Sequence, residues 1–299
     1  MSTPTLAARV RQQLGVSWEK AREAVRSGKV FVDGQRAIEP EARPHDTAVI
    51  EVKAHAPRPL TRDEIGKEHV LFEDNSVIVV NKPAGIESVP YGDREQGTLL
   101  HAVRMFVAKR MKDRPEVGIV HRLDKDTSGV MMFTLSFAAK KVMGEAFRKH
   151  TIERVYWALT QGAPSSGRIV SYIAEDRGDR RRGSVGVGEP KHGAKKAVTW
   201  VEVKERYQGA AWVECKLETG RTHQIRIHLS EAGAPVLGER VYASLADEAP
   251  RLMLHARMLA FKHPVTGKEL RFEAEPPADF QLTREKLRRS SSTAPGRPK

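Results

Sequence analysis

Two prolines in the stretch Ala54-His55-Ala56-Pro57-Arg58-Pro59 interrupt every hydrophobic period in this 299-residue chain and divide it into unequal parts. Proline removes a backbone donor and fixes φ, so neither a helix nor an inner strand runs through such a stretch. The chain therefore reads as a small unit over residues 1–57 and a larger one over residues 70–280, with residues 58–69 as the connection. In the small unit Leu6, Val10 and Leu14 share a helical face that stops at Gly15, and Ser17 can cap a second helix carrying Ala21, Ala24 and Val25 up to Gly28. The period then changes, with Val30-Phe31-Val32 leading into the turn Asp33-Gly34 and Ala48 to Val52 supplying another strand. Two helices and a small hairpin are expected.

The larger unit opens with the apolar run Val77-Ile78-Val79-Val80, which ends at Asn81-Lys82-Pro83-Ala84-Gly85. Helical spacing follows from Thr98 to Lys109, then a loop and strand over His121 to Thr134, then a helix from Ser136 to His150. Further strands are expected at Arg154 to Leu159, Ala197 to Val203, Trp212 to Leu217, Leu252 to Phe261 and Leu270 to Ala274. Strands and helices mix without a βαβ repeat, which argues for an α+β sheet domain over a doubly wound one. No self-similarity of 20 to 50 residues marks a repeat protein.

Lys and Arg number 51 against 38 Asp and Glu, a formal net charge of +13. That surplus points to an acidic partner, with general solubility as the plainer reading. It is unevenly spread: Asp176 to Lys196 carries +4 among five glycines, and residues 281–299 carry +5. The first of these reads as a flexible basic insertion. The second reads as a disordered basic tail, since its Ser, Thr, Pro and Gly cannot build a core. Arg9, Arg11, Lys20, Arg22, Arg26 and Lys29 give the two small helices a basic face. One cysteine, Cys215, excludes an internal disulfide and a cysteine metal cluster. The start is not followed by the apolar core of a signal peptide, and no run approaches the roughly 20 apolar residues of a membrane helix. A cytoplasmic protein without membrane contact is expected.

Chemistry is concentrated in His121-Arg122-Leu123-Asp124-Lys125-Asp126-Thr127-Ser128-Gly129, the densest polar cluster, set between apolar stretches. Taken alone, an acid before Thr-Ser-Gly is as well read as an Asx turn. A second cluster, Arg221-Thr222-His223-Gln224-Ile225-Arg226-Ile227-His228-Leu229, follows Gly220. Ile225, Leu229 and Ala232 give it a helical face, with Thr222 as the expected cap and Arg221 at the positive helix entrance. His223 and His228 are five apart, about 140° around a helix at 100° per residue, so they cannot share a metal as an i, i+4 pair does. His192 and His263 fall in loop sequence and read as bland. No Walker lysine, Gly-x-Ser-x-Gly or zinc spacing is present, so no metal site and no cofactor are expected.

The run His121 to Gly129 resembles the His-Arg-Leu-Asp-x-x-Thr-Ser-Gly signature of the RNA pseudouridine synthases, in the branch that contains the ribosomal large-subunit enzymes. Asn81 to Gly85, Arg154 to Ala158, Gly220 to Arg226 and Leu254-His255-Ala256 are similar to further motifs of that family, in its order. The likeness spans about residues 70 to 280. Residues 1–53 separately resemble the alpha-L RNA-binding module of a small-subunit ribosomal protein. The resemblance implies a mixed, largely antiparallel sheet and a cofactor-free isomerisation of uridine in structured RNA.

Ribosomal RNA is the favoured substrate by this likeness and transfer RNA the second. The rival is a non-catalytic RNA-binding assembly factor on the same scaffold. A monomer is expected. Residue by residue, Asp124 matches the aspartate that acts on the flipped-out nucleotide, as nucleophile or as base at the ribose, and Tyr156 the tyrosine that packs the base. Arg221 matches the arginine paired with the aspartate, since a neighbouring cation favours an ionised carboxylate. Arg122 is the candidate to fill the vacated stack or hold phosphate, and Arg226 to touch the carboxylate or a phosphate. Arg154, Lys82, Arg22 and Arg26 complete the expected RNA contacts. Two positions depart from the family pattern: Arg154 stands where lysine is common, and Ser17-Trp18-Glu19 where a Ser-Arg pair is.

Overall fold

The computed structural model describes residues 3–53, 65–90, 96–110, 116–185, 193–243, 247 and 249–292. The chain divides into two compact units, Met1–Thr61 and Arg62–Lys299. The proline stretch Ala54 to Pro59 lies outside the described residues, as does His192.

The small unit holds α1 (Leu6–Leu14) and α2 (Trp18–Arg26), followed by β1 (Val30–Val32), β2 (Gln35–Ala37) and β3 (Ile50–Val52) in the order β2-β1-β3. Thr5 and Ser17 cap the two helices by accepting from the amides of Ala8 and Lys20. Gly15 closes α1 at φ +63°, a left-handed conformation that a side chain would strain. Leu6, Val10, Ala21, Val25 and Val30 form the core, with Ala24 packed against it, whereas Leu14, expected on the same face as Leu6 and Val10, is exposed at the end of α1. Trp18 is exposed, with the guanidiniums of Arg11 and Arg22 at 5.0 and 5.7 Å from its ring centre. Arg22 also lies 3.5 Å from Glu41, and Arg26 is exposed.

In the large unit the elements are β4 (Val70–Glu73), β5 (Val77–Lys82), α3 (Leu99–Ala108), β6 (Ser128–Thr134), α4 (Phe137–Arg148), β7 (Glu153–Gln161), β8 (Gly167–Ala174) and β9 (Gly183–Val185). They continue with β10 (Lys195–Tyr207), β11 (Ala210–Leu217), α5 (Gln224–Glu231), β12 (Leu254–Lys262), β13 (Glu269–Glu273) and α6 (Ala278–Ser292). The ten strands form one sheet in the order β4-β5-β6-β12-β7-β11-β10-β8-β9, with β13 on β12. Among the described strands β6 against β12 is the one parallel pairing, at His255↔Ser128 and Ala256↔Gly129. This is the α+β, largely antiparallel architecture expected from the sequence.

All seven residues of β6 are buried, which requires cover on both faces. Strand alternation divides that cover. Ile78, Val80, Met131 and Phe133 pack with Leu99 and Val103 of α3, whereas Val77, Val79, Val130 and Met132 pack with Met143 of α4, Leu259 and Phe261. Gly129 sits at φ +113°, where an added Cβ would lie 2.2 Å from the carbonyl oxygen of Ala256. Only a glycine permits that approach of the two backbones.

Three boundaries differ from the sequence reading. Ile65 is buried in the large core and residues 67–69 form a 3-10 turn into β4, so the end of the expected connection belongs to the large unit. The basic insertion is ordered at both ends. The Asp176 carboxylate accepts from the amides of Gly178 and Arg180, Gly183–Val185 pairs with β8, and Lys195 already starts β10; residues 186–192 lie outside the described residues. The tail expected to be disordered from 281 onward is helical to Ser292 in α6. Phe280 and Leu287 pack it on the large core, Arg284 lies 3.6 Å over the Trp212 ring, and Arg284 and Arg288 reach Glu205 at 2.9 and 2.8 Å.

Candidate active site

The segment from His121 to Thr127 is irregular backbone entering β6, and its shape is fixed from several sides. The Ser88 hydroxyl donates to the Leu123 carbonyl at 2.6 Å and accepts from its amide at 3.0 Å. His121 Nε2 accepts from the Met132 amide at 3.0 Å, and the ring stacks on Phe147. Burial, aided by the charge of Arg154, lowers the His121 pKa to about 3, so the neutral ring that this hydrogen bond requires is the stable form. Arg251 donates to the Asp126 carbonyl at 3.2 Å while bound to Asp279.

Lys82 holds the segment from below and is not an RNA contact. Its ammonium donates to the carbonyls of Pro83, Lys125 and Thr127 at 3.0, 2.8 and 2.8 Å and is 0% exposed. Burial pulls its pKa down to about 7, against the raising pull of Asp126 and Asp124. Three acceptors suit an ammonium, with three N–H bonds, better than an amine with two.

The side chain of Asp124 does not make an Asx turn. Its Oδ2 accepts from Arg226 Nη1 at 3.1 Å, and Oδ1 lies 3.8 Å from His223 Nε2. Arg226 is held from behind by Glu239, which accepts from Nε and Nη2 at 2.7 Å each. The Glu239 side chain is 0% exposed and also accepts from the amides of Val241 and Tyr242. Burial opposes the charge on Arg226, but the hydrogen bonds and charges of Glu239 and Asp124 outweigh it and hold the guanidinium well above its ordinary pKa. In Glu239 likewise, burial is overcome by Arg226 and the two amides, and the carboxyl pKa falls.

Arg221, expected to pair with Asp124, instead donates its Nε to the Lys196 carbonyl at 3.0 Å. The reason is where α5 begins. The Thr222 cap does not form; His223, at φ +59°, precedes the first helical residue, Gln224, and makes no side-chain cap. The buried Gln224 amide fixes this start by accepting from Thr219 Oγ1 and the Arg221 amide and donating to Val198 and Thr199. Arg226 is thereby turned toward Asp124 while Arg221 is left outside the helix. His223 donates to or accepts from the Tyr242 hydroxyl at 2.8 Å, and burial lowers its pKa although Asp124 pulls the other way.

Tyr156 projects from β7 into a slot of about 60 Å3 that it shares with Asp124, Arg226, Leu217, Ile225 and Leu254. Burial raises its phenol pKa, Arg154 opposes that rise and Asp124 adds to it. Two larger grooves meet at Asp124. One, of about 500 Å3, runs past Glu87, Pro90, Arg240 and Arg251; the other, of about 420 Å3, runs past Phe147, Arg148, Arg154 and Arg221. Arg122 is exposed at the junction and lines both. Arg154 is 7% exposed, two residues from Tyr156 on the same strand face, with its guanidinium 5.8 Å from the Phe147 ring centre. Asp124, Tyr156, Arg226 and Arg122 are thus brought together, while Lys82 lies beneath the loop.

The sequence reading missed Glu239, Tyr242, Arg148 and Arg251. For Glu239 the available signal was an acid following Leu237-Gly238 after an apolar stretch, too weak to single out. Among the described residues no group of three or more His, Cys, Asp and Glu side chains could hold a metal ion.

The model of the RNA pseudouridylate synthase family matches residues 76–231, a span containing Asp124, Tyr156 and Arg226. The chain belongs to this family. A ribosomal large subunit pseudouridine synthase D of Xanthomonas campestris is 34% identical over 303 residues, covering 93% of this chain and 87% of that protein. A protein of the same name from Neisseria meningitidis is 38% identical over 240 residues, and there this chain covers 61% of the relative's length. Among solved structures, human RNA Pseudouridylate Synthase Domain Containing 4 superposes with a TM-score of 0.60 at 26% identity, over 73% of this chain and 92% of the human one.

Proposed function

We propose that this family member converts uridine to pseudouridine in structured RNA, with large-subunit ribosomal RNA as its substrate. The observation that carries the reading is the Asp124 carboxylate held 3.1 Å from Arg226 at the mouth of the Tyr156 slot. The reaction breaks the bond between ribose C1′ and uracil N1, turns the base and joins C1′ to C5; C5 loses its proton and N1 takes one up, so the product is an isomer of the substrate. Asp124 faces the ribose, as nucleophile or base, and Arg226 holds it there. Tyr156 offers a flat face to the pyrimidine and a phenol toward the carbon that loses its proton. The uridine is flipped out of its stack at a cost of a few kcal/mol, and exposed Arg122 fills the gap. The names of the relatives favour ribosomal over transfer RNA. This work belongs in the cytoplasm, by a monomer, with residues 1–57 as an alpha-L module adding RNA contacts through Arg22 and Arg26.

Tritium release from ribosomal RNA labelled at uridine C5 tests the reading. Wild-type protein should release tritium and Asp124→Ala should not, and release by the variant at the wild-type rate overturns it.

A further inference from the structure

The groove of about 420 Å3 beside Tyr156 gathers several cations against little negative charge. Its walls carry Arg122, Arg148, His150, Arg154 and Arg221, and a single acid, Asp124, whose bonded guanidinium is that of Arg226. Several arginines elsewhere are answered by acids: Arg168 by Glu218, Arg257 by Glu273, Arg271 by Glu273 and Arg288 by Glu205. Among the described residues Arg122, Arg148, Arg154 and Arg221 have no carboxylate at ion-pair distance.

Arg154 is the most telling of these. Its Nε and Nη2 are buried without a hydrogen-bond partner among the described residues. Gly220 makes room for it, since an added Cβ there would lie 2.3 Å from Nη1. A guanidinium kept on a groove floor without a counter-ion, with Arg221 nearby, is stabilised when an anion enters. The groove leads to Asp124 and Tyr156, so the anion that reaches it is attached to the nucleotide in the slot.

We infer that this groove holds a backbone phosphodiester of the RNA strand beside the target uridine, with Arg154 at the floor and Arg148 and Arg221 at the rim. The inference rests on the isomerase reading and assigns one flank of that site to backbone recognition, which positions the strand and carries no sequence information.

Filter binding of a radiolabelled large-subunit ribosomal RNA transcript to the full chain, from about 50 to 200 mM salt, tests it. Arg148→Gln and Arg221→Gln should each weaken binding about three- to tenfold and flatten the slope of log K against log salt by about 0.7 to 0.9, the loss of one phosphate contact. Arg271→Gln, which removes a guanidinium 2.9 Å from Glu273, should leave the slope as it is. Both groove residues are accessible, so folding should survive; Arg154→Lys, which keeps charge but loses the fork, should give a smaller change in the same direction. Wild-type slopes in both Arg148→Gln and Arg221→Gln overturn the inference. Tritium release with unchanged slopes overturns the groove alone. Flattened slopes without tritium release overturn the isomerase reading alone, and a wild-type chain that does not bind the transcript overturns both.

Discussion

Arg226 and Arg154 are both buried guanidiniums beside the Asp124–Tyr156 slot, and they are balanced in opposite ways. Arg226 spends its hydrogen bonds on Glu239 and Asp124, which makes it a spacer that sets where a carboxylate stands. Arg154 rests on Phe147 with two donors unmet, so its charge is directed at whatever enters the groove. The difference shows that a site can separate positioning from capture using the same side chain. What decides between the two is whether a buried acid accompanies the guanidinium.

The largest effect belongs to the carboxylate between the two flanks. Asp124→Asn should reduce tritium release by about 10⁴-fold or more while RNA binding is kept, because the acid performs chemistry and distributed cations supply affinity. On the paired flank, Glu239→Gln should lower kcat by about 10²-fold with little change in KM, the cost of displacing a group by about 1 Å. Arg226→Met should in addition destabilise the fold by about 3–5 kcal/mol in urea titrations, since it strands a buried Glu239. Equal salt slopes for Glu239→Gln and Arg148→Gln would erase the contrast between the flanks.

Acid sensitivity should come from the buried histidines, His121 on the unpaired flank among them. Burial lowers the native pKa of His121 to about 3 and those of His228 and His255 to about 4, against 6.5 for the free side chain. The unfolded chain therefore binds more protons than the native one between those limits. The stability these rings confer is fully present above pH 6.5 and is lost progressively as pH falls to 4 and then 3, by about 3–5 kcal/mol for each ring. Urea midpoints from pH 7 to 4 measure it, and His121→Gln, whose amide oxygen can accept from Met132, should flatten part of the decline. The smallest effect is expected far from both flanks. Glu205→Gln, loosening the partly exposed contacts that dock α6, should cost about 1 kcal/mol or less and leave tritium release unchanged.

Buried strands were legible because Val130 to Phe133 of β6 and Val77 to Val80 of β5 announce themselves as apolar runs. β8 was not, since Arg168 and Val170 face outward and its Gly167-Arg168-Ile169-Val170-Ser171 alternates weakly. α6 escaped because its apolar anchors are few, Phe280 and Leu287, and the arginine–aromatic and ionic contacts to β10 and β11 that complete its docking have partners composition does not reveal. In the site, Asp124, Tyr156 and the two α5-region arginines were legible from the resemblance, but their ranking was not. Thr222 has the right chemistry for a cap, yet a tertiary anchor at Gln224 moved the helix start, and with it the choice of arginine. A local hint was present in Ile225-Arg226-Ile227, where an arginine flanked by isoleucines is more deeply set than one beside Gly220.

Gly129 ties the far end of the Asp124 segment to β12 at a separation no side chain allows, while Ser88 fixes the near end at Leu123. The stretch between them behaves as a clasp of fixed length, and an inserted or deleted residue there has no slack to absorb it.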